Sequence, residues 1–146
     1  MRSKLVAETG GERTFVLVLD TGEEAFAAVT AFAADAGLHG ASLTAIGAFQ
    51  QAQVGWFDFD RKVYKTIAVG EQCEVLSLIG DIAMDDDDKP SLHAHVVLGL
   101  ANGVARGGHL MQGLVRPTLE VTLVETPAHL RRRKRPELGI ALIDLG

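Results

Sequence analysis

A single cysteine, Cys73, stands in a chain of 146 residues. One cysteine excludes an intrachain disulfide and fits a reducing, cytoplasmic setting. It lies in an apolar, strand-like run and reads as a small buried hydrophobe rather than a nucleophile. No stretch approaches the run of about 18 apolar residues expected of a membrane helix. The opening MRSKLVAETGGER has no apolar segment of a secretory signal. A basic surplus is also missing: 14 Lys and Arg face 19 Asp and Glu, a net charge of −5. That balance argues against a general nucleic-acid binder. There is no Walker loop, GxGxxG, GxSxG or CxxC, so the common nucleotide, serine-hydrolase and dithiol signatures are excluded.

What is present is a chain of one-domain size, 1–146, whose 47% hydrophobic content supports a real core. ERTFVLVLDTG (12–22) predicts a strand ending in a turn. EEAFAAVTAFAADAG (23–37) predicts an amphipathic helix, with Phe26, Val29 and Phe32/Ala33 at helical spacing. Thr21 is placed to cap its start and Gly37 to end it, and Glu23 and Glu24 suit the first turn's dipole. From there the pattern is β. Strands are predicted over 41–50, 51–60, 63–70 and 71–84, the last bent or closely approached at Gly80. The run DDDDKP (85–90) predicts a solvated loop, and SLHAHVVLGLA, HLMQGLV, PTLEVTLVET and GIALIDL (139–145) predict further strands. With no βαβ rhythm, the order indicates an α+β fold: a curled, mostly antiparallel sheet with one principal helix.

Three histidines carry the chemistry. His93 and His95 are spaced i, i+2 in SLHAHVVLGL and therefore share one strand face. The segment ANGVARGG (101–108) is rich in turn residues and can return the chain antiparallel, bringing His109 to the same patch. Three imidazoles on one face form a half-cage for a borderline transition metal, typically zinc, with a position left open. The competing reading is three strand histidines bonded to backbone carbonyls. The run Arg131, Arg132, Arg133, Lys134 and Arg135 is either a phosphate-binding or nuclear-localisation patch or a solvated turn before the last strand.

GLHGASLTAIGAFQQAQVGWFD, CEVLSLIGDIA and LHAHVVLGLANGVARGGHLMQGLVRPTLEVTL together resemble the PPC (plants and prokaryotes conserved) domain, over roughly residues 12–143. The most specific stretch is the His-x-His pair followed by Gly107-Gly108-His109-Leu110. The resemblance implies a single-domain homotrimer within a broader group similar to acetolactate decarboxylase, whose members bind zinc through a His-x-His pair and a third His. Its implied ligands here are His93, His95 and His109. The family's plant members carry AT-hooks. RRRKRP contains no Arg-Gly-Arg core, so that route into the minor groove is missing. Three functions follow. The first is a metal-binding regulatory module with the family's DNA-associated role. The second is a zinc-dependent lyase or hydrolase acting on a small carbonyl or carboxylate substrate, for which Glu74 and Glu120 are candidate acid–base groups and Arg106 a candidate anion clamp. The third is direct phosphate-backbone binding through residues 131–135.

Overall fold

The computed structural model describes residues 1–126 and 129–146. Among them are nine strands and one helix: β1 (Arg2–Thr9), β2 (Glu12–Asp20), α1 (Ala25–Asp35), β3 (Gly40–Asp58), β4 (Val63–Val69), β5 (Cys73–Met84), β6 (Pro90–Gly99), β7 (Ala105–Glu125), β8 (Arg131–Arg135) and β9 (Ile140–Asp144). The α+β expectation holds. All extended pairings are antiparallel except a single parallel bridge from Met84 of β5 to Arg131 of β8. β3 bonds to β5, β5 to β6, β6 to β7, and β7 back to β3. These four strands thus close a ring of hydrogen bonding, and the curl of the sheet is a barrel-like closure that removes edges.

The helix is shorter than its sequence pattern. It begins after Glu24, whose carboxylate accepts from the Phe26 and Ala27 amides. The same carboxylate accepts from the Gly113 N–H of β7, which ties the helix start to the sheet. Thr21 does not cap it, because its hydroxyl donates to the Pro117 carbonyl at 2.9 Å. At the other end, Gly37 takes φ +64°. Leu38 N–H donates to Ala33 O and Gly37 N–H to Ala34 O, the paired bonds of a glycine-terminated helix. Ala25, Val29 and Ala33 form the buried stripe of α1. They pack on a core that includes Leu17, Phe49, Ile82, Leu98, Leu110 and Leu123.

Several segments differ from their expected form. The strands expected at 41–50 and 51–60 are one strand, β3, and HLMQGLV and PTLEVTLVET are likewise one strand, β7. Each changes neighbours along its length, so local turn cues do not divide it. β1 lacks a sequence signal because all eight of its residues are exposed, and its ladder to β2 holds it. Residues 131–135 are a strand and not a turn. DDDDKP is a loop as expected, but its carboxylates face that strand: Asp88 pairs with Arg131 at 2.7 Å and Asp86 with Arg133 at 3.8 Å. Cys73 is buried and unpaired, as its apolar setting predicts.

Candidate metal centre

Alternation along β6 puts Leu92, Ala94, Val96 and Leu98 in the core, so His93 and His95 point to the opposite face. β7 returns beside it with His109 directly across from His95. The double glycine makes that approach possible. A Cβ on Gly107 would lie 2.6 Å from the Val96 carbonyl oxygen of β6. A Cβ on Gly108 would lie 2.6 Å from the Gly55 carbonyl oxygen of β3. Both flanking strands press on β7 just before His109, and only glycine leaves room. Gly80 has the same role on β5, where a Cβ would meet His93 O at 2.3 Å.

The three rings converge. Their centroids are 5.2 Å (His93–His95), 5.1 Å (His93–His109) and 5.4 Å (His95–His109) apart, and one nitrogen from each lies within 4.8 Å of the others. The donor set fits a transition metal: three neutral-capable imidazoles at half-buried to exposed positions. His109 Nδ1 is closed to water and has no hydrogen-bond partner among the described residues, so it is a buried imidazole nitrogen left to be satisfied.

The electrostatics favour the neutral form of two of the imidazoles, His95 and His109. Burial, helped by the neighbouring His93 and His95 and by Arg132, pushes His109 down to about 4. Burial and then His93 also lower His95. Neutral imidazole is the form that binds metal. Beneath the cluster, Asp81 Oδ2 lies 3.6 Å from His93 Nδ1, and Asp81 Oδ1 accepts from Arg132 Nη2 at 2.6 Å. Burial opposes the Asp81 carboxylate, but the hydrogen bonds from His93 and Arg132 outweigh it and hold its pKa below the ordinary value. A carboxylate on the far nitrogen fixes ring orientation and leaves Nε2 of His93 for the ion. Tyr64 stacks on His109 at 4.8 Å, and burial raises its phenol, which stays protonated at neutral pH.

The cluster lies on the wall of a cleft of about 790 Å³. Phe57, Phe59 and Tyr64 of the β3–β4 hairpin form one side, and Arg132, Ile140 and Leu142 of the β8–β9 hairpin form the other. The remaining candidates lie elsewhere. Glu74 and Glu120 share a shallow recess with Ile46 and Leu76 and do not line this cleft. Arg106 stands opposite Leu98, three residues before His109, and alternation turns it to the other face. The basic run is largely paired: Arg131 with Asp88, Arg132 with Asp81, Arg133 with Asp86 and Asp144, and Arg135 with Asp144. Asp81 escaped the sequence reading, although a lone carboxylate inside the apolar run VLSLIGDIAM is a visible signal.

The family model of the Plants and Prokaryotes Conserved (PCC, also written PPC) domain matches residues 6–127. The chain belongs to this family. No curated protein matches it. Among solved structures, a PPC protein from Pyrococcus horikoshii is 32% identical, covers 94% of this chain and 97% of its own, and superposes with a TM-score of 0.85. A metal-containing protein from Archaeoglobus fulgidus is 33% identical over 97% of this chain and 98% of its own, with a TM-score of 0.83. A protein from Ralstonia eutropha JMP134, named as a "putative DNA-binding protein", is 28% identical over 90% of this chain and 91% of its own, with a TM-score of 0.84. No described helix of this PPC domain is long and apolar enough to cross a membrane.

Proposed function

We propose that this PPC domain is a homotrimeric metal-binding module in which His93, His95 and His109 hold one divalent transition metal, zinc. The observation that carries the reading is the convergence of one nitrogen from each ring within 4.8 Å, on the wall of an open cleft. Asp81 supports it by orienting His93. The metal-containing relative from Archaeoglobus fulgidus supports it by likeness. The trimer is supported by the exposed apolar side chains Ile46, Leu76, Ile79 and Val97, which lie on neighbouring strands beside His95. An uncovered apolar sheet face of this kind calls for a partner. A DNA-associated regulatory role, carried over from the Ralstonia relative, would use three copies of β8, one per subunit. Its arginines would then exchange carboxylates for phosphates.

The cleft favours a second reading, a zinc-dependent lyase or hydrolase acting on a small carbonyl or carboxylate substrate. A bound zinc would polarise a carbonyl or acidify water at its open position. The chain's own contribution is to hold His93 through Asp81, to keep His109 neutral by burial, and to exclude water with Phe57 and Tyr64.

Zinc titration by calorimetry tests the metal centre. Wild type should bind one zinc per chain, and His93→Ala, His95→Ala and His109→Ala should each weaken binding strongly. Unchanged affinity in the His93→Ala/His95→Ala double variant would refute the site. Light scattering at micromolar concentration tests the trimer, and a stable monomer would count against it.

A further inference from the structure

Arg132 is the one charged residue in the core of this molecule among those described, at 7% exposure. Its Nη2 satisfies Asp81, but its Nη1 is buried and has no hydrogen-bond partner among the described residues. A buried guanidinium donor left empty is costly, and native structures seldom keep one without a reason. The residue lines the same cleft as the histidines. Three cations, Arg132, Lys134 and Arg135, line that cleft and no acidic residue does, although Asp81 pairs with Arg132 and Asp144 with Arg135. Away from these cations the walls are aromatic and aliphatic. Phe57 meets Tyr64 edge-on at 5.0 Å, and Tyr64 stacks on His109, so a continuous aromatic surface leads down to the imidazoles.

We infer that this cleft binds a small organic monoanion bearing an apolar or aromatic group, its carboxylate taken by Arg132 Nη1 beside the histidine cluster and its apolar part laid on Phe57, Tyr64 and Leu142. The inference deepens the metal-centre reading and rests on it, since the histidine cluster that adjoins Arg132 would hold the ion. Nη1 is closed to water, so the guanidinium must turn slightly toward the cleft while Nη2 stays on Asp81. Charge selects the anion, because a planar guanidinium matches a carboxylate. The walls select the apolar group, since each buried methylene contributes to binding and acetate has little to bury.

The test is calorimetry on the full chain, zinc-loaded and zinc-free, with phenylacetate, acetate and 2-phenylethanol as probes. Phenylacetate should bind the zinc-loaded protein at least ten-fold more tightly than either of the others. Arg132→Gln should lower its affinity at least ten-fold. Because that change also disturbs Asp81, Phe57→Ser serves as a second variant, and it should bring phenylacetate affinity close to that of acetate. If zinc fails to bind but phenylacetate still binds the zinc-free chain through Arg132, the anion subsite stands and the metal centre falls. Equal binding of phenylacetate and 2-phenylethanol, or full phenylacetate affinity in Phe57→Ser, overturns the inference.

Discussion

Replacing Gly108 by alanine should loosen the fold and the histidine cluster together. The new Cβ would lie 2.6 Å from Gly55 O and 3.4 Å from Val54 Cβ. A carbon and a carbonyl oxygen normally stay about 3.3 Å or more apart, so the overlap is roughly 0.7 Å. The obstructing atom is backbone and cannot rotate away. β7 must therefore part from β3 at the Gly55–His109 pair, the position that sets His109. Overpacking of this kind costs about 1–3 kcal/mol. The Gly-to-Ala change returns about 0.4–1 kcal/mol by restricting the unfolded chain. The net loss is about 1–2 kcal/mol, a visible part of a total stability of about 5–15 kcal/mol. In urea the midpoint should fall by about 0.5–1 M, with the slope unchanged. Zinc affinity should fall by about ten-fold or more, as when an imidazole's support is displaced. Gly70→Ala is the control, because nothing lies within 4 Å of its Cβ and its φ is unexceptional. If Gly108→Ala matched Gly70→Ala in both urea midpoint and zinc affinity, the idea that the double glycine seats His109 would be wrong.

Asp81→Asn should reduce zinc affinity by about 10–100-fold without removing any ligand, because His93 loses its orienting carboxylate and Arg132 its counter-charge; calorimetry checks this. The ion-free protein should lose stability as pH falls from about 6.5 to about 4. His109 has its folded pKa pushed down to about 4, so the unfolded chain binds the proton first, and urea midpoints measured across that window should fall more in wild type than in His109→Gln. Paired Ile79→Lys and Leu76→Lys changes should convert the proposed trimer to monomers with little loss of fold, since both side chains are more than half exposed in the single chain, at 57% and 56%; sedimentation would show it. Duplex DNA should bind weakly, without sequence preference and with a steep salt dependence, because a phosphate reaching Arg131, Arg133 or Arg135 must displace Asp86, Asp88 or Asp144. Sequence-selective nanomolar binding that survives neutralising residues 131–135 would contradict this.

The α+β class, the single helix and the shared face of His93 and His95 were legible in the sequence because each rests on a short-range period. Alternation along β6 needs no knowledge of neighbours, and the apolar spacing of Val29 and Ala33 needs only the helix itself. The Gly37 terminus was legible for the same reason, since its bonds close within five residues. What lay beyond the sequence involves partners far apart in the chain. Turn residues allow His109 to arrive opposite His95, but only the ring of β3, β5, β6 and β7 fixes that register. The pairing of Asp81 and of DDDD with RRRKR depends on β8 returning beside β5, across 51 residues in the case of Asp81 and Arg132. The composition of the two runs shows only that each is charged. Likewise, Glu74, Arg106 and Glu120 carry suitable chemistry, but register sets Glu74 and Glu120 in a separate recess and alternation turns Arg106 to the other face. Local geometry therefore decided which residues could face one way, and the closure of the sheet decided which of those faces met.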